Sequence, residues 1–395
     1  MQHRAADPMS ATAIHDSVLV PRYGEASLAD LLPSVLACLG VAGETDRLGL
    51  ALDVDHVCVL LVDGLGALAL AENAATAPFL TGLPAATLTA GFPSTTATSL
   101  TTLGTGLPPG EHGILSYLLR LPGQDRLFNT LRWRLHGEGP KVDALTAFAP
   151  EHVQPRPSAF ERAIAAGIPA VQVAPGYQNG SGLTRAGWRG GDFRPTYSVG
   201  DLLDGVLRAV GSAPKTLVYT YHSELDTTGH ARGPATRAWR FELAHVDRIA
   251  AELAARLPAR SALIVTADHG MVELVDRIDF DTHPELPDGV AELGGEPRAR
   301  HVYTRDGAAA DVAATWRAVL GADFLVRTRA EAVEAGWFGP VAGEFTSRIG
   351  DLVVAALGTS GIVRTAAEPV QTMMVGHHGS LTAAEQLVPL RIHRT

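Results

Sequence analysis

The run Val57-Cys-Val-Leu-Leu-Val62, closed by Asp63-Gly64, restricts the fold of this 395-residue chain more than any other stretch. An unbroken apolar, β-branched-rich segment suits a strand buried on both faces, and such strands belong to parallel sheets covered by helices on each side. Similar runs recur at Thr87–Phe92, Pro169–Val173, Thr216–Tyr221 and Ala262–Thr266. Helical patterns separate them. Ser27-Leu-Ala-Asp30 reads as a helix start before Leu31–Leu39, stopped by Gly40 or Gly43, and further helices are expected at Phe160–Ala166, Val199–Val210 and Trp239–Leu257. Strands alternating with helices predict an α/β fold, a mostly parallel sheet sandwiched by helices. Pro122-Gly123-Gln124-Asp125 suits a hairpin turn, and the Gly- and Arg-rich stretch Gly180–Pro195 reads as an irregular surface loop.

Beyond Met271 the pattern changes. Asp276–Gly295 is polar and turn-rich, and Arg300–Thr304, Val312–Leu320, Phe324–Thr328 and Arg329–Gly336 suggest a small strand-and-helix unit. The expected organisation is a catalytic domain over residues 1–275 and 370–395, interrupted by a small α+β cap subdomain over 276–369. Lys+Arg 32 against Asp+Glu 42 gives a net charge of -10, which disfavours non-specific nucleic-acid binding and anionic membranes. An anionic ligand must therefore be met locally. Cys38 and Cys58 lie in apolar surroundings and read as reduced core residues. Met1–Thr12 contains no apolar signal segment, and no run reaches the roughly 18 residues of a membrane helix, so a cytoplasmic protein without a membrane partner is expected. Oligomeric state is left open.

The candidate chemistry is spread over five places. Pro93 favours an extended Phe92, after which Ala97–Leu103 reads as a short helix ending at Gly104 or Gly106. Thr95 and Thr96 fall in its first turn, where unpaired backbone N–H groups attract anions, so one of them is a candidate nucleophile toward a phosphate. Taken alone, a Ser94-Thr95-Thr96 cluster is more often simply a helix cap. Asp226 and His230 in Leu225-Asp-Thr-Thr-Gly-His230 are four apart and share one side of a helical turn, so they can bind one metal. Asp268-His269-Gly270 directly follows an apolar strand, and Gly270 permits the turn that lets both side chains reach one site. Gly376-His377-His378-Gly379 offers further nitrogen donors, though alone it suits two exposed histidines equally, and Asp63 lies at a strand end.

In this order the pieces resemble the alkaline phosphatase superfamily, in its nucleotide pyrophosphatase/type I phosphodiesterase branch, from about residue 57 to the end. The matching residues are Asp63-Gly64, Phe92-Pro93-x-x-Thr96, Thr105-Gly106-Leu107-x-Pro109-x-x-His112-Gly113-Ile114, Leu225-Asp226-x-x-Gly229-His230, Thr266-Ala267-Asp268-His269-Gly270-Met271 and His378-Gly379. The resemblance implies two divalent metal ions, usually zinc, with Asp63, Thr96, Asp268 and His269 on the first and Asp226, His230 and His378 on the second. Nitrogen and carboxylate donors also suit zinc on chemical grounds, with manganese the alternative. It further implies a phosphoester hydrolase acting on a small phosphorylated substrate through a phospho-threonine at Thr96, with Thr95 in reserve. His112-Gly113 is read as turn geometry. Tyr117 stands where the family has a substrate-binding asparagine, which makes it the candidate substrate contact and keeps monoester and phosphonate hydrolysis open. Arg298 and Arg300 are candidate anion contacts. Phosphotransfer or mutase chemistry, and metal-dependent anion binding without catalysis, are the rival readings.

Overall fold

The computed structural model describes residues 17–395; the reading of Met1–Thr12 lies outside them. Among the described residues a seven-stranded sheet runs in the order Ala85–Thr89, Leu387–Arg394, Ser261–Thr266, His56–Val62, Thr216–His222, Ala170–Pro175, Asp192–Thr196. The last five are parallel, whereas Leu387–Arg394 runs antiparallel to both of its neighbours. Val57 and Val59 to Val62 are wholly buried, as expected of a strand covered on both faces.

Register brings the chemistry together. Leu61 pairs with both Tyr221 and Thr266, and Val62 pairs with His222, so three adjacent strands end level with one another. Asp63, the Glu224–Arg232 helix and Asp268-His269 therefore emerge at one edge of the sheet. The strands carrying them reached that edge from distant parts of the sequence.

The Leu28–Leu39 helix begins with the expected capping box: Asp30 Oδ2 accepts from the Ser27 N–H at 3.0 Å and from Ser27 Oγ at 2.7 Å. Gly180–Pro195 differs from the sequence reading. It contains a helix, Gly182–Trp188, capped by Ser181 Oγ accepting from the Thr184 N–H at 3.2 Å, and leads into the edge strand Asp192–Thr196. Glycines there make contact instead of loop. A Cβ on Gly104 would come within 2.3 Å of the Gly187 carbonyl oxygen, so the helix packs backbone to backbone on Thr96–Thr105. Cys38 and Cys58 are free thiols, and burial pushes the Cys58 thiol up to about 12.

Residues 290–356 carry a second, antiparallel sheet in the order Val290–Glu296, Ala299–Thr304, Leu352–Ala356, Phe324–Thr328, with the Ala309–Leu320 helix against it. Its own core surrounds Trp316, while Trp337, Phe338 and Phe345 join the main core; the Phe92 ring lies 5.0 Å from that of Trp337. Arg298 and Arg300 are occupied there and cannot meet a diffusible anion. Arg298 donates to both Glu385 oxygens, at 3.1 and 2.7 Å, with both side chains fully buried. Arg300 grips Glu368 in the same way, at 3.2 and 2.9 Å. Breaking one such pair costs about 3–5 kcal/mol because a buried charge is left behind. Among the described residues no helix is long and apolar enough to cross a membrane.

Candidate active site

Asp63, Asp268 and His269 form one group whose ligand atoms lie within 4.8 Å of one another, and Asp226, His269 and His378 form a second. All five residues are buried. His230 adjoins the second group: its Nε2 is 3.3 Å from Asp226 Oδ2 and 3.3 Å from His378 Nε2. His269 belongs to both groups, which differs from the partition implied by the sequence resemblance.

Asp63 leaves the His56–Val62 strand through Gly64, whose φ of +74° lies in the region that only glycine occupies freely. That turn aims the Gly64 N–H at Asp268 Oδ1, 3.1 Å away, and the His269 N–H reaches the same oxygen at 3.1 Å. The Tyr221 hydroxyl donates to Asp63 Oδ2. One oxygen of each carboxyl nevertheless has no partner: Asp63 Oδ1, Asp226 Oδ1 and Asp268 Oδ2. Burial, with the neighbouring Asp268 and Asp226 charges, holds Asp63 well above the ordinary carboxyl value, and burial raises Asp226 and Asp268 too. Such a cluster of unmatched carboxyls asks for a cation.

The histidines are set to complement it. His269 Nδ1 donates to the Gly270 carbonyl at 3.1 Å, His230 Nδ1 to Gly376 at 2.7 Å and His378 Nδ1 to Ser94 at 2.9 Å. With each Nδ1 hydrogen fixed on a backbone carbonyl, every Nε2 keeps its lone pair for the site. Burial lowers the His269 pKa and drives that of His378 well down, so both rings stay neutral. His230 Nε2 and His378 Nε2 face each other across 3.3 Å, beside Asp226 Oδ2. The donor set therefore fits divalent metal on residues alone: carboxylate oxygens without partners, and neutral imidazoles of fixed tautomer.

Thr96 opens the Thr96–Thr105 helix, and its Oγ1 lies 3.2 Å from Nε2 of His269, the residue common to both groups. Thr95, the N-cap, turns away and donates to Glu296 Oε2 at 3.2 Å. His377 also turns away, its Nε2 3.3 Å from the Met374 carbonyl. Tyr117 makes no bond to either group; its ring packs with Leu118, Leu127 and Tyr303, and its hydroxyl pairs with the Asn129 side chain. Sequence reasoning overlooked Tyr221, Asn129 and Glu296. Only Tyr221 carried a signal, since it ends a strand whose register brings it beside Asp63.

His112 braces the loop below. Its Nδ1 accepts from the Ile114 N–H at 3.1 Å, its Nε2 donates to Thr102 Oγ1 at 3.0 Å, and burial takes its pKa down to about 3. His112→Ala is expected to destabilise the fold by about 1–3 kcal/mol through the orphaned Thr102 and Ile114 groups, as read from urea denaturation, with metal content unchanged.

The sheet and its ligand-rich edge define an alkaline phosphatase-like fold, which solved structures share. Murine ectonucleotide pyrophosphatase / phosphodiesterase 5 aligns with a TM-score of 0.66 at 17% identity, over 86% of this chain and 88% of that one. Its human counterpart gives 0.65 at 18%, over 86% and 87%. Phosphonoacetate hydrolase from Sinorhizobium meliloti 1021, solved with phosphonoacetate, gives 0.62 at 20%, over 85% and 89%. No curated protein matches the sequence. A model of the type I phosphodiesterase / nucleotide pyrophosphatase family matches residues 57–381, and the chain belongs to that family of divalent-metal-dependent phosphoester hydrolases.

Proposed function

We propose that this chain hydrolyses a small phosphate ester or nucleotide, with Thr96 as nucleophile and two divalent cations, zinc before manganese, at the clustered ligands. Asp63, Thr96, Asp268 and His269 hold the first, and Asp226, His230 and His378 the second. Residues 276–369 we read as a cap inserted into the catalytic domain. The observation that carries the reading is the 3.2 Å approach of Thr96 Oγ1 to His269 Nε2, the point where the two ligand groups meet. An inactive threonine-to-alanine form of the murine phosphodiesterase 5 is solved with AMP, which supports both a threonine nucleophile and a phosphorylated ligand.

The cations, when bound, supply Lewis acidity to the hydroxyl and to the phosphoryl oxygens. The chain's residues do the rest. Thr96 Oγ1 bonds to phosphorus as the ester oxygen leaves, and the hydroxyl proton departs with the released alcohol. Water then breaks the Thr96–phosphorus bond and restores the hydroxyl. Thr96 lies at a helix start, where unpaired N–H groups and the helix dipole favour the incoming anion. Gly64 and Tyr221 orient the carboxylates through their hydrogen bonds.

The test is turnover of p-nitrophenyl phosphate and of bis-p-nitrophenyl phosphate by zinc- or manganese-loaded protein, together with elemental metal analysis. The reading expects two metals per chain and release of product to water from at least one of the two esters. Ligand binding without hydrolysis of either ester would leave a binding protein in its place. Phosphate transferred to an added alcohol in preference to water would make it a transferase.

A further inference from the structure

Glu296 ends the Val290–Glu296 strand of the second sheet, yet it reaches the loops of the first. It is 5% exposed. Its Oε2 accepts from Thr95, the residue before the candidate nucleophile, at 3.2 Å. Its Cγ, Cδ and Oε1 pack on Gly379, the residue after the ligand His378; a Cβ at Gly379 would come within 3.1 to 3.2 Å of all three atoms. The two loops it touches are themselves bonded, the Ser94 N–H to the Gly379 carbonyl at 3.0 Å and His378 Nδ1 to the Ser94 carbonyl at 2.9 Å. Glu296 thus covers the crossing of the strand-to-helix loop that carries Thr96 and the loop that carries His378.

Its other oxygen is unexplained by the fold. Glu296 Oε1 is buried and has no hydrogen-bond partner, a condition it shares with Asp63 Oδ1, Asp226 Oδ1 and Asp268 Oδ2. The guanidinium of Arg300, whose charge acts on Glu296, is already held by Glu368 and the Ile362 carbonyl. Burial holds the Glu296 acid well above its ordinary value. A buried polar atom left unmatched beside an anion-binding helix start is unfavourable until a ligand reaches it.

We infer that Glu296 is a phosphoryl-contacting residue delivered by the second sheet: Oε2 holds Thr95 while Oε1 hydrogen-bonds a non-bridging oxygen of the group bound at Thr96. This rests on the proposed phosphoester chemistry and names a contact that the family resemblance did not supply. Glutamine can reproduce both roles, its carbonyl accepting from Thr95 and its NH2 donating to the phosphoryl oxygen. Aspartate cannot span the distance, and alanine offers neither bond.

The experiment titrates inorganic phosphate into the zinc-loaded full chain by calorimetry, beside zinc stoichiometry. Glu296→Ala is expected to bind phosphate about tenfold more weakly, and Glu296→Gln within about twofold of the unaltered chain. Zinc content stays the same in both. Should the alanine variant fail to fold, Glu296→Asp replaces it and is expected to be as weak. Thr95→Val, which removes one bond and leaves Oε1 in place, is expected to lose less than Glu296→Ala. Undiminished phosphate affinity in the alanine or aspartate variant, equal loss in alanine and glutamine variants, or no phosphate binding by the unaltered chain would overturn the inference. A chain that shows the expected order of affinities but turns over no ester would keep this contact and discard the proposed hydrolysis.

Discussion

Thr96→Ala is expected to lower turnover by roughly four orders of magnitude or more, since it removes the atom that bonds to phosphorus. Metal content should stay near normal, because Asp63, Asp268 and His269 still converge within 4.8 Å. The loss should fall on kcat, with KM for the ester little changed, as befits a group whose bond forms only during reaction. Thr95→Ala is the matched control. Thr95 spends its hydroxyl on Glu296, so its removal is expected to cost far less. Full turnover in Thr96→Ala together with collapse in Thr95→Ala would move the nucleophile by one residue, and retention in both would end the covalent mechanism.

The second large effect is expected on metal removal, and it carries a pH signature. Asp63, Asp226 and Asp268 have pKa values raised above 3.8 by burial, helped at Asp63 by the charges of Asp268 and Asp226 and at Asp268 by that of Asp226. In the metal-free chain a raised carboxyl contributes stability below 3.8 that is lost as pH climbs through its folded value. Cation binding needs those carboxyls deprotonated, whereas His269 and His378, their pKa values lowered, are already neutral. Protons released on zinc binding therefore come from the aspartates. The difference in Tm between zinc-loaded and chelated protein should widen as pH rises above the ordinary carboxyl range. At free zinc a thousandfold above Kd the stabilisation is about 4 kcal/mol. Scanning calorimetry at several pH values checks this. A gap that is constant with pH, or that widens toward acid, would contradict the reading of these three side chains as ligands.

The three central strands of the sheet were legible because they are long apolar runs, whereas Asp192–Thr196 and Leu387–Arg394 carry no such signal. Val57–Val62 was read to within one residue of His56–Val62, and Thr216–Tyr221 and Ala262–Thr266 to within one residue of theirs. Burial on both faces leaves an uninterrupted apolar signal, and a strand end followed by Asp or His is visible without any structure. Gly180–Pro195 was misread because glycine signals both loops and close backbone contact, and only the Thr96–Thr105 helix it packs on shows which applies. Arg298 and Arg300 were misread for a related reason. A guanidinium suits a phosphate or a buried carboxylate equally, and the partners Glu385 and Glu368 lie far along the sequence. The spacing of Asp226 and His230 was informative because one helical turn fixes it. Glu296 meets Thr95 only through the packing of two separate sheets, which no local spacing encodes.

The antiparallel strand Leu387–Arg394 lies between Ser261–Thr266 and Ala85–Thr89. Among the described residues it is therefore the hydrogen-bonded bridge by which the strand leading to Thr96 joins the strands leading to Asp63 and Asp268. The two halves of the chemistry share a frame only once a segment from the opposite end of the sequence has slotted between them, a pairing slow to form by its range alone. A partly assembled intermediate lacking that staple would have its alcohol and its acids adrift from each other, and would be inert toward esters even in abundant zinc.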